Sequence, residues 1–406
     1  MWYFCDALKH AVALIRQSTK TSINCSHILG GLAVSKKTTV VDLFSGVGGF
    51  SLGAARAGFH VLAAVENDPI AITSHTKNFP GTIHLERDIR KLSGPQLLKA
   101  IDLNVGELGG LIGGPPCQGF SNIGRRNGND GRNQLFGHFF RLVDQVRPAF
   151  FLAENVPGIM TDKYTTIRRN ALAKAPKYYK VLDPFTVTAS EYGVPTTRKR
   201  VFFFGYDPCK FDSEFEESDF NTTPDAERIT VSLALEGLPV KISENWEDEG
   251  AQWSRVVKTN GTLYMAKVTG SIPDTVGDKT ALKEYLEKGL VSGCQGTRHA
   301  HDVVERFRAL KAGEADKISR AVRLDPGGFC PTLRAGTNRD KGSYQAIRPV
   351  HPTEPRVITP REAARLQGFP DWFVFHPTKW HSFRQIGNSV SPIIAEVLLS
   401  QIAARM

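Results

Sequence analysis

Along most of the chain, apolar residues fall into short continuous runs separated by segments in which they recur every three or four positions. The first pattern marks strands buried on both faces, the second helices with one apolar stripe. Their alternation predicts an α/β fold whose mostly parallel sheet carries helices on both faces. Val40–Phe44, His60–Val65, Thr82–Ile89, Gly110–Ile112, Pro148–Ala153 and Val201–Gly205 read as strands. Pro69–Phe79, Leu135–Val146 and Ile393–Ile402 read as helices. A further helix is expected after Thr359, which is suited to capping, with Pro360 at its first position and Gly368 and Pro370 closing it. Ahead of these, residues 1–37 hold one helix, about Cys5 to Arg16, and a polar, turn-rich stretch; this extension is assigned no chemistry.

With 406 residues there is room for two domains. Texture changes after Gly205: Asp212–Glu249 holds twelve acidic residues against two basic ones, whereas Ser254–Arg361 holds nineteen Lys and Arg against eleven acids. The expected division is an extension at 1–37, a first domain at 38–205, a smaller irregular domain at 206–351, and a return at 352–406 that completes the first. A net charge of +10 and a pI near 9.3 point to a polyanionic partner. Six scattered cysteines without a C-x-x-C pair argue against a disulfide framework or zinc knuckle and for a reducing compartment. No stretch approaches the ~18 consecutive apolar residues of a membrane helix, and no signal peptide is legible, so an intracellular protein is expected.

Candidate chemistry gathers where predicted strands end. Gly113–Ser121 places Cys117 after two prolines, in a stiff loop that can neither extend a central strand nor enter a helix. After the first strand, Ser45-Gly46-Val47-Gly48-Gly49 forms a glycine turn into a helix, a place where backbone N–H groups meet a ligand. Glu66 follows Gly46 by twenty positions, where an acid grips ribose hydroxyls; Ser51 in place of a third glycine turns the reading from NAD toward another adenosine-bearing cofactor. Asp88 with Ile89 suits an adenine, and equally an ordinary cap or surface acid. Glu154 directly after an apolar strand should share a crevice with Cys117, and burial should favour its protonated form. Arg198 and Arg200, with Lys199, precede the last strand as either a solvated edge or a clamp. Asn388 and Ser389 either contact a cofactor or cap the last helix. Arg125, Arg126 and Arg132 in the polar stretch 124–134 are placed to reach phosphates, and Arg334, Arg339 and Lys341 sit among glycines suited to reading a groove.

In this order the stretches resemble the cytosine-5 DNA methyltransferases of the prokaryotic modification type. Asp42–Gly49 looks like the family's cofactor block, Pro115–Gln118 its catalytic block, Glu154-Asn155-Val156 its cytosine-binding block and Arg198–Arg200 its paired-arginine block, with the stretches at Arg361 and Gln385 as the last two. Thr196 departs from the glutamine common at that place. The resemblance implies a Rossmann-like S-adenosylmethionine-dependent methyltransferase domain, with a target-recognition domain at 206–351. It implies a cofactor, leaving as S-adenosylhomocysteine, held by Phe44, Gly46, Gly48, Gly49, Glu66, Asp88, Ile89, Pro115, Leu135, Asn388 and Ser389. Cys117 would add to carbon-6 of a flipped-out cytosine, with Glu154, Arg198 and Arg200 assisting and no metal required. Double-stranded DNA would be held by Arg125, Arg126, Arg132, Thr332, Arg334, Arg339 and Lys341. A monomer in a prokaryotic cytoplasm, near the nucleoid and paired with a cognate restriction endonuclease, is expected. Rival readings are a transfer RNA cytosine-5 methyltransferase, an NAD-dependent oxidoreductase and an inactive DNA-binding regulator.

Overall fold

The computed structural model describes residues 38–116, 133–221, 227–243, 253–257, 259, 261–335 and 348–406. Its strands are β1 Thr39–Leu43, β2 His60–Glu66, β3 Ile83–Glu86, β4 Gly110–Gly113, β5 Phe150–Asn155, β6 Lys180–Val181, β7 Phe185–Thr188, β8 Lys199–Tyr206, β9 Ser254–Arg255 and β10 Leu290–Val291. The helices are α1 Gly49–Arg56, α2 Pro69–Asn78, α3 Gly94–Ala100, α4 Asn133–Val146, α5 Thr165–Leu172, α6 Val231–Leu235, α7 Leu263–Thr269, α8 Lys279–Lys288, α9 His301–Ala309, α10 Pro360–Leu366, α11 Lys379–Asn388 and α12 Pro392–Ala403.

Among the described residues the main sheet has eight strands in the order β3-β2-β1-β4-β5-β8-β6, with β7 also paired to β8. The five strands from β3 to β5 are parallel; β8 runs antiparallel to β5 and to both β6 and β7. Neighbouring residues on a strand face opposite sides, so apolar runs feed two cores. Val40, Ile112, Phe150 and Leu152 join one layer with Phe50 of α1 and Leu398 of α12. Val41, Leu111, Phe151 and Ala153 join the other with Leu97 of α3 and Phe139 of α4. The first layer also takes in Val231, Tyr264 and Leu333, so the segment between β8 and α10 shares the apolar core of the sheet.

Helix α10 begins as its sequence dictates: the Thr359 hydroxyl accepts from Glu362 N, Glu362 reaches back to Thr359 N at 2.7 Å, and Pro360 stands at the first position. Gly368, at φ +86°, turns the chain away. Four expected boundaries move. Strand β3 stops at Glu86, leaving Asp88 in the following turn. Strand β5 runs on through Glu154 and Asn155. Helix α4 starts two residues before Leu135. Asn388 closes α11 instead of opening the last helix, whose cap position is Ser391. Residues 379–403 alone among the described residues are long and apolar enough to cross a membrane, and 67% of the most apolar window is buried inside the protein.

Candidate active site

The strand order reverses direction at β1, which pairs with β2 on one side and β4 on the other. In an open α/β sheet this switch point leaves a crevice beyond the carboxyl ends of the two strands. Here the crevice is a cavity of about 450 Å3, with a second of about 310 Å3 adjoining it. Phe44, Glu66, Asp68, Pro116 and Arg384 line both and so join them.

One wall is the turn from β1 to α1. Gly46 and Gly48 take φ values of +55° and +101°, which glycine permits at little cost, and Phe44 takes +59°, a left-handed conformation uncommon for a bulky residue. Gly46 N donates to Glu66 Oε2 at 2.9 Å, while Glu66 Oε1 accepts from Asn67 N at 2.7 Å and Asp68 N at 2.9 Å. Glu66 thus clasps the turn, and burial pushes its carboxyl above the ordinary value despite those donors. The glycines differ in purpose. A Cβ on Gly46 would meet open space. One on Gly48 would strike Phe79 Cε2 at 2.3 Å, and one on Gly49 would strike Val390 O at 2.2 Å. Gly46 therefore leaves room in the cavity, whereas Gly48 and Gly49 permit close packing of the protein on itself.

The smaller cavity has Ile89 and Leu135 on apolar sides, with Asp88 beside them. Asp88 is chelated by its neighbour: Arg90 Nε and Nη2 reach the carboxylate at 2.6–3.0 Å and hold its pKa below the ordinary value. Arg141 Nη2 donates to the Ile89 and Leu92 carbonyls at 2.9 and 2.8 Å, pinning that turn against α4.

Across the larger cavity stand Glu154 and Arg200. Because β8 runs antiparallel to β5, with Asn155 opposite Val201, the start of β8 arrives at the carboxyl end of β5. Arg200 Nε then lies 2.5 Å from Glu154 Oε1. The structure thus sets a guanidinium at the side of the buried Glu154 carboxyl. Gly114 and Pro116, which lead into the cysteine loop, line the same cavity, and Asn155 Nδ2 donates to Pro115 O at 3.3 Å. Arg198 is turned inward: it is 3% exposed and donates to the Gly387 and Ser389 carbonyls at 2.8 and 3.0 Å. Its guanidinium thus ties β8 to the α11–α12 junction.

Among the expected cofactor positions, Phe44, Gly46, Gly49, Glu66, Asn388 and Ser389 line the larger cavity, while Asp88, Ile89 and Leu135 line the smaller. Gly48 and Pro115 line neither. Thr332 and Arg334, expected at DNA, also border the larger cavity, because Cys330 N bonds to Pro195 O and Thr197 N to Cys330 O at 2.8 and 2.9 Å. Cys117, Arg125, Arg126, Arg132, Arg339 and Lys341 lie outside the described residues, as does the extension 1–37. Asp42, an acid inside an apolar strand and the first residue of the Asp42–Gly49 block, also lines the larger cavity. The sequence reading missed Arg384, whose guanidinium lies 3.3 Å from Asp68; a charge on a helix surface carries no signal of that position.

A mostly parallel sheet with a crevice at its switch point is the architecture of nucleotide- and cofactor-binding α/β proteins. The chain belongs to the C-5 cytosine-specific DNA methylase family, whose model matches residues 38–404. It is 37% identical over 366 residues to the type II methyltransferase M.XorII of Xanthomonas oryzae pv. oryzae, covering 89% of this chain and 84% of that one. To M.DdeI of Desulfomicrobium norvegicum it is 32% identical over 405 residues, covering 90% and 88%. A solved E. coli structure, assigned as a prophage-encoded DNA modification methyltransferase, superimposes with a TM-score of 0.81 at 48% identity, over 91% of this chain and 99% of that one. The Dnmt2 methyltransferase of S. pombe, at 15% identity and a TM-score of 0.54 over 91% and 98%, shares the fold. The protein is therefore an S-adenosylmethionine-dependent DNA cytosine methyltransferase.

Proposed function

We propose that the enzyme methylates carbon-5 of a cytosine swung out of duplex DNA, through a covalent adduct with Cys117, as the modification half of a type II restriction-modification system. The observation that carries this reading is the Glu154–Arg200 pair facing the glycine turn across one cavity. Carbon-5 of cytosine is too weak a nucleophile until a thiolate adds at carbon-6, and the charge that then builds on the ring needs neutralising. Glu154 is placed to bond the ring nitrogen edge, and Arg200 to hold that carboxyl in position and face the ring oxygen. Once carbon-5 carries the methyl group, loss of its proton to a base restores the carbon-5–carbon-6 double bond and expels Cys117 as the thiolate.

The residues fit S-adenosylmethionine. Gly46 leaves open space, Glu66 offers a carboxylate at the ribose position, and Phe44, Ile89 and Leu135 supply apolar surface. Bound there, the cofactor supplies an electrophilic methyl group. The flipped base costs a few kcal/mol of stacking, and residues 120–134 are assigned to close behind it. Residues 206–351 read the flanking sequence, Thr332 and Arg334 at the cavity edge and Arg339 and Lys341 beyond, with a cognate endonuclease cutting the same site. The protein acts as a monomer in the bacterial cytoplasm.

Cys117→Ser is expected to abolish methyl incorporation into duplex DNA while leaving DNA and cofactor binding largely intact. Turnover retained by that variant contradicts the covalent mechanism. Bisulfite mapping of DNA from cells expressing the chain gives the target sequence and shows which cytosine carries the methyl.

A further inference from the structure

Beneath the glycine turn runs a chain of hydrogen bonds that the methyl-transfer reading does not use. Ser51 Oγ donates to Asp42 Oδ2 at 2.6 Å, His75 Nε2 lies 3.0 Å from that hydroxyl, and His84 Nε2 lies 2.9 Å from His75 Nδ1. Asp42, Ser51 and His75 are fully buried or nearly so, while His84 is half-buried on the edge strand β3. At the inner end, Asp42 Oδ1 is buried without a hydrogen-bond partner among the described residues, and Asp42 lines the floor of the larger cavity. Four residues from four elements, β1, α1, α2 and β3, thus form one line from cavity to sheet edge.

We propose that Asp42, Ser51, His75 and His84 form a proton path that sets the charge of the cavity floor from the protein surface. Two hydrogen orders satisfy every link. In the first, Asp42 is ionised, Ser51 donates to it, His75 donates from Nε2 to Ser51, and His84 donates from Nε2 to His75. A proton taken up at His84 Nδ1 passes along the line: His84 gives its Nε2 proton to His75 Nδ1, His75 gives its own to Ser51, and Ser51 protonates Asp42. In the second order Asp42 donates to Ser51, Ser51 to His75 Nε2, and His75 Nδ1 to His84. The line holds one more proton than before, both imidazoles are again neutral, and each has changed tautomer.

The surroundings suit such a switch. Burial pushes the Asp42 carboxyl up to about 7, with Glu66 on β2 adding to the rise against the Ser51 hydroxyl. Burial and the neighbouring His84 hold His75 well below its ordinary value, so it passes a proton without keeping one. Phe79 packs at a tilt against the His75 ring, 4.4 Å between centroids, and a backbone hydrogen bond at Thr82 favours the protonated form of His84 against its burial. The other charged or titratable groups lining the cavity are Glu66, Asp68, Glu154, Arg198, Arg200, Arg334, His381 and Arg384. A cationic cofactor seated over the floor favours ionised Asp42, so its binding expels a proton along the path. Its dissociation constant then rises by up to about tenfold per pH unit below the Asp42 midpoint and levels off above it.

The coupling rests on the cofactor occupying this cavity; the path itself does not, and the two are tested apart. Nitrogen NMR of the imidazoles in cofactor-free protein, from about pH 5 to about pH 8, is expected to show His75 and His84 changing tautomer together at one midpoint. Ser51→Ala, which removes one oxygen, should abolish that shared change. A His75 that keeps one tautomer throughout overturns the proposal, as does a shared change that survives in Ser51→Ala. Calorimetric titration with S-adenosylmethionine in phosphate and in Tris should reveal proton release that Asp42→Asn removes. Tight binding with the same enthalpy in both buffers overturns the coupling. A wild-type protein that binds no cofactor contradicts the functional reading, while the tautomer measurement still decides the path.

Discussion

Glu154 and Arg200 gain their meaning from each other. A carboxylate at a strand end and an arginine in a basic cluster are each ordinary surface residues until an antiparallel strand brings them to 2.5 Å. Glu154→Gln keeps the shape but replaces the carboxyl that faces Arg200. It should slow single-turnover methylation by about 10²–10⁴-fold with little change in cofactor affinity, since general acid–base groups contribute on that scale; an unchanged rate counts against the assigned role. The positions of Phe44, Gly46 and Glu66 are legible because a strand, a glycine turn and a second strand fix them within one local unit. For Arg198 the sequence leaves a solvated edge and a clamp both open, and in the structure its guanidinium donates to the Gly387 and Ser389 carbonyls. Which backbone atoms a buried arginine meets depends on segments nearly two hundred positions away.

Helix α10 shows the same contrast at the level of an element. Its cap, its first proline and its closing glycine stand in the sequence, and the helix forms where they place it. Its role in joining distant segments does not. Arg365 Nε and Nη2 each lie 2.6 Å from an Asp371 oxygen, and Nη1 donates to the Ala234 and Glu236 carbonyls at 3.0 and 3.1 Å, all out of water. Removing one partner of a buried pair leaves the other charge uncompensated, so Arg365→Ala should cost about 3–5 kcal/mol of unfolding free energy in urea titrations. A loss within experimental error contradicts the placement. The main strands were readable from apolar runs, whereas β6 and β7 were not: two and four residues, partly exposed, make no run to detect. Nor does a run of apolar residues disclose direction, so the antiparallel course of β8 had to come from the structure.

At the scale of the whole molecule, charge governs the encounter with DNA. A net charge of +10 attracts the phosphate backbone before any base is read. The logarithm of duplex affinity should fall linearly with the logarithm of salt concentration, with a slope of about −0.9 per phosphate neutralised. Arg334→Ala should reduce that slope by about one if the side chain meets a phosphate. Anisotropy titrations at several salt concentrations measure both, and a slope near zero contradicts a backbone-led encounter.

The closeness of α1 and α12 bears on how firmly the cofactor turn is seated. A Cβ on Gly53 would lie 2.3 Å from that of Ala395, so the helix that follows the turn rests directly against a helix more than three hundred positions further along the chain. The turn is thus backed from behind by a distant segment, and a change that lifts α12 off α1 should be felt as a loosened grip on the cofactor.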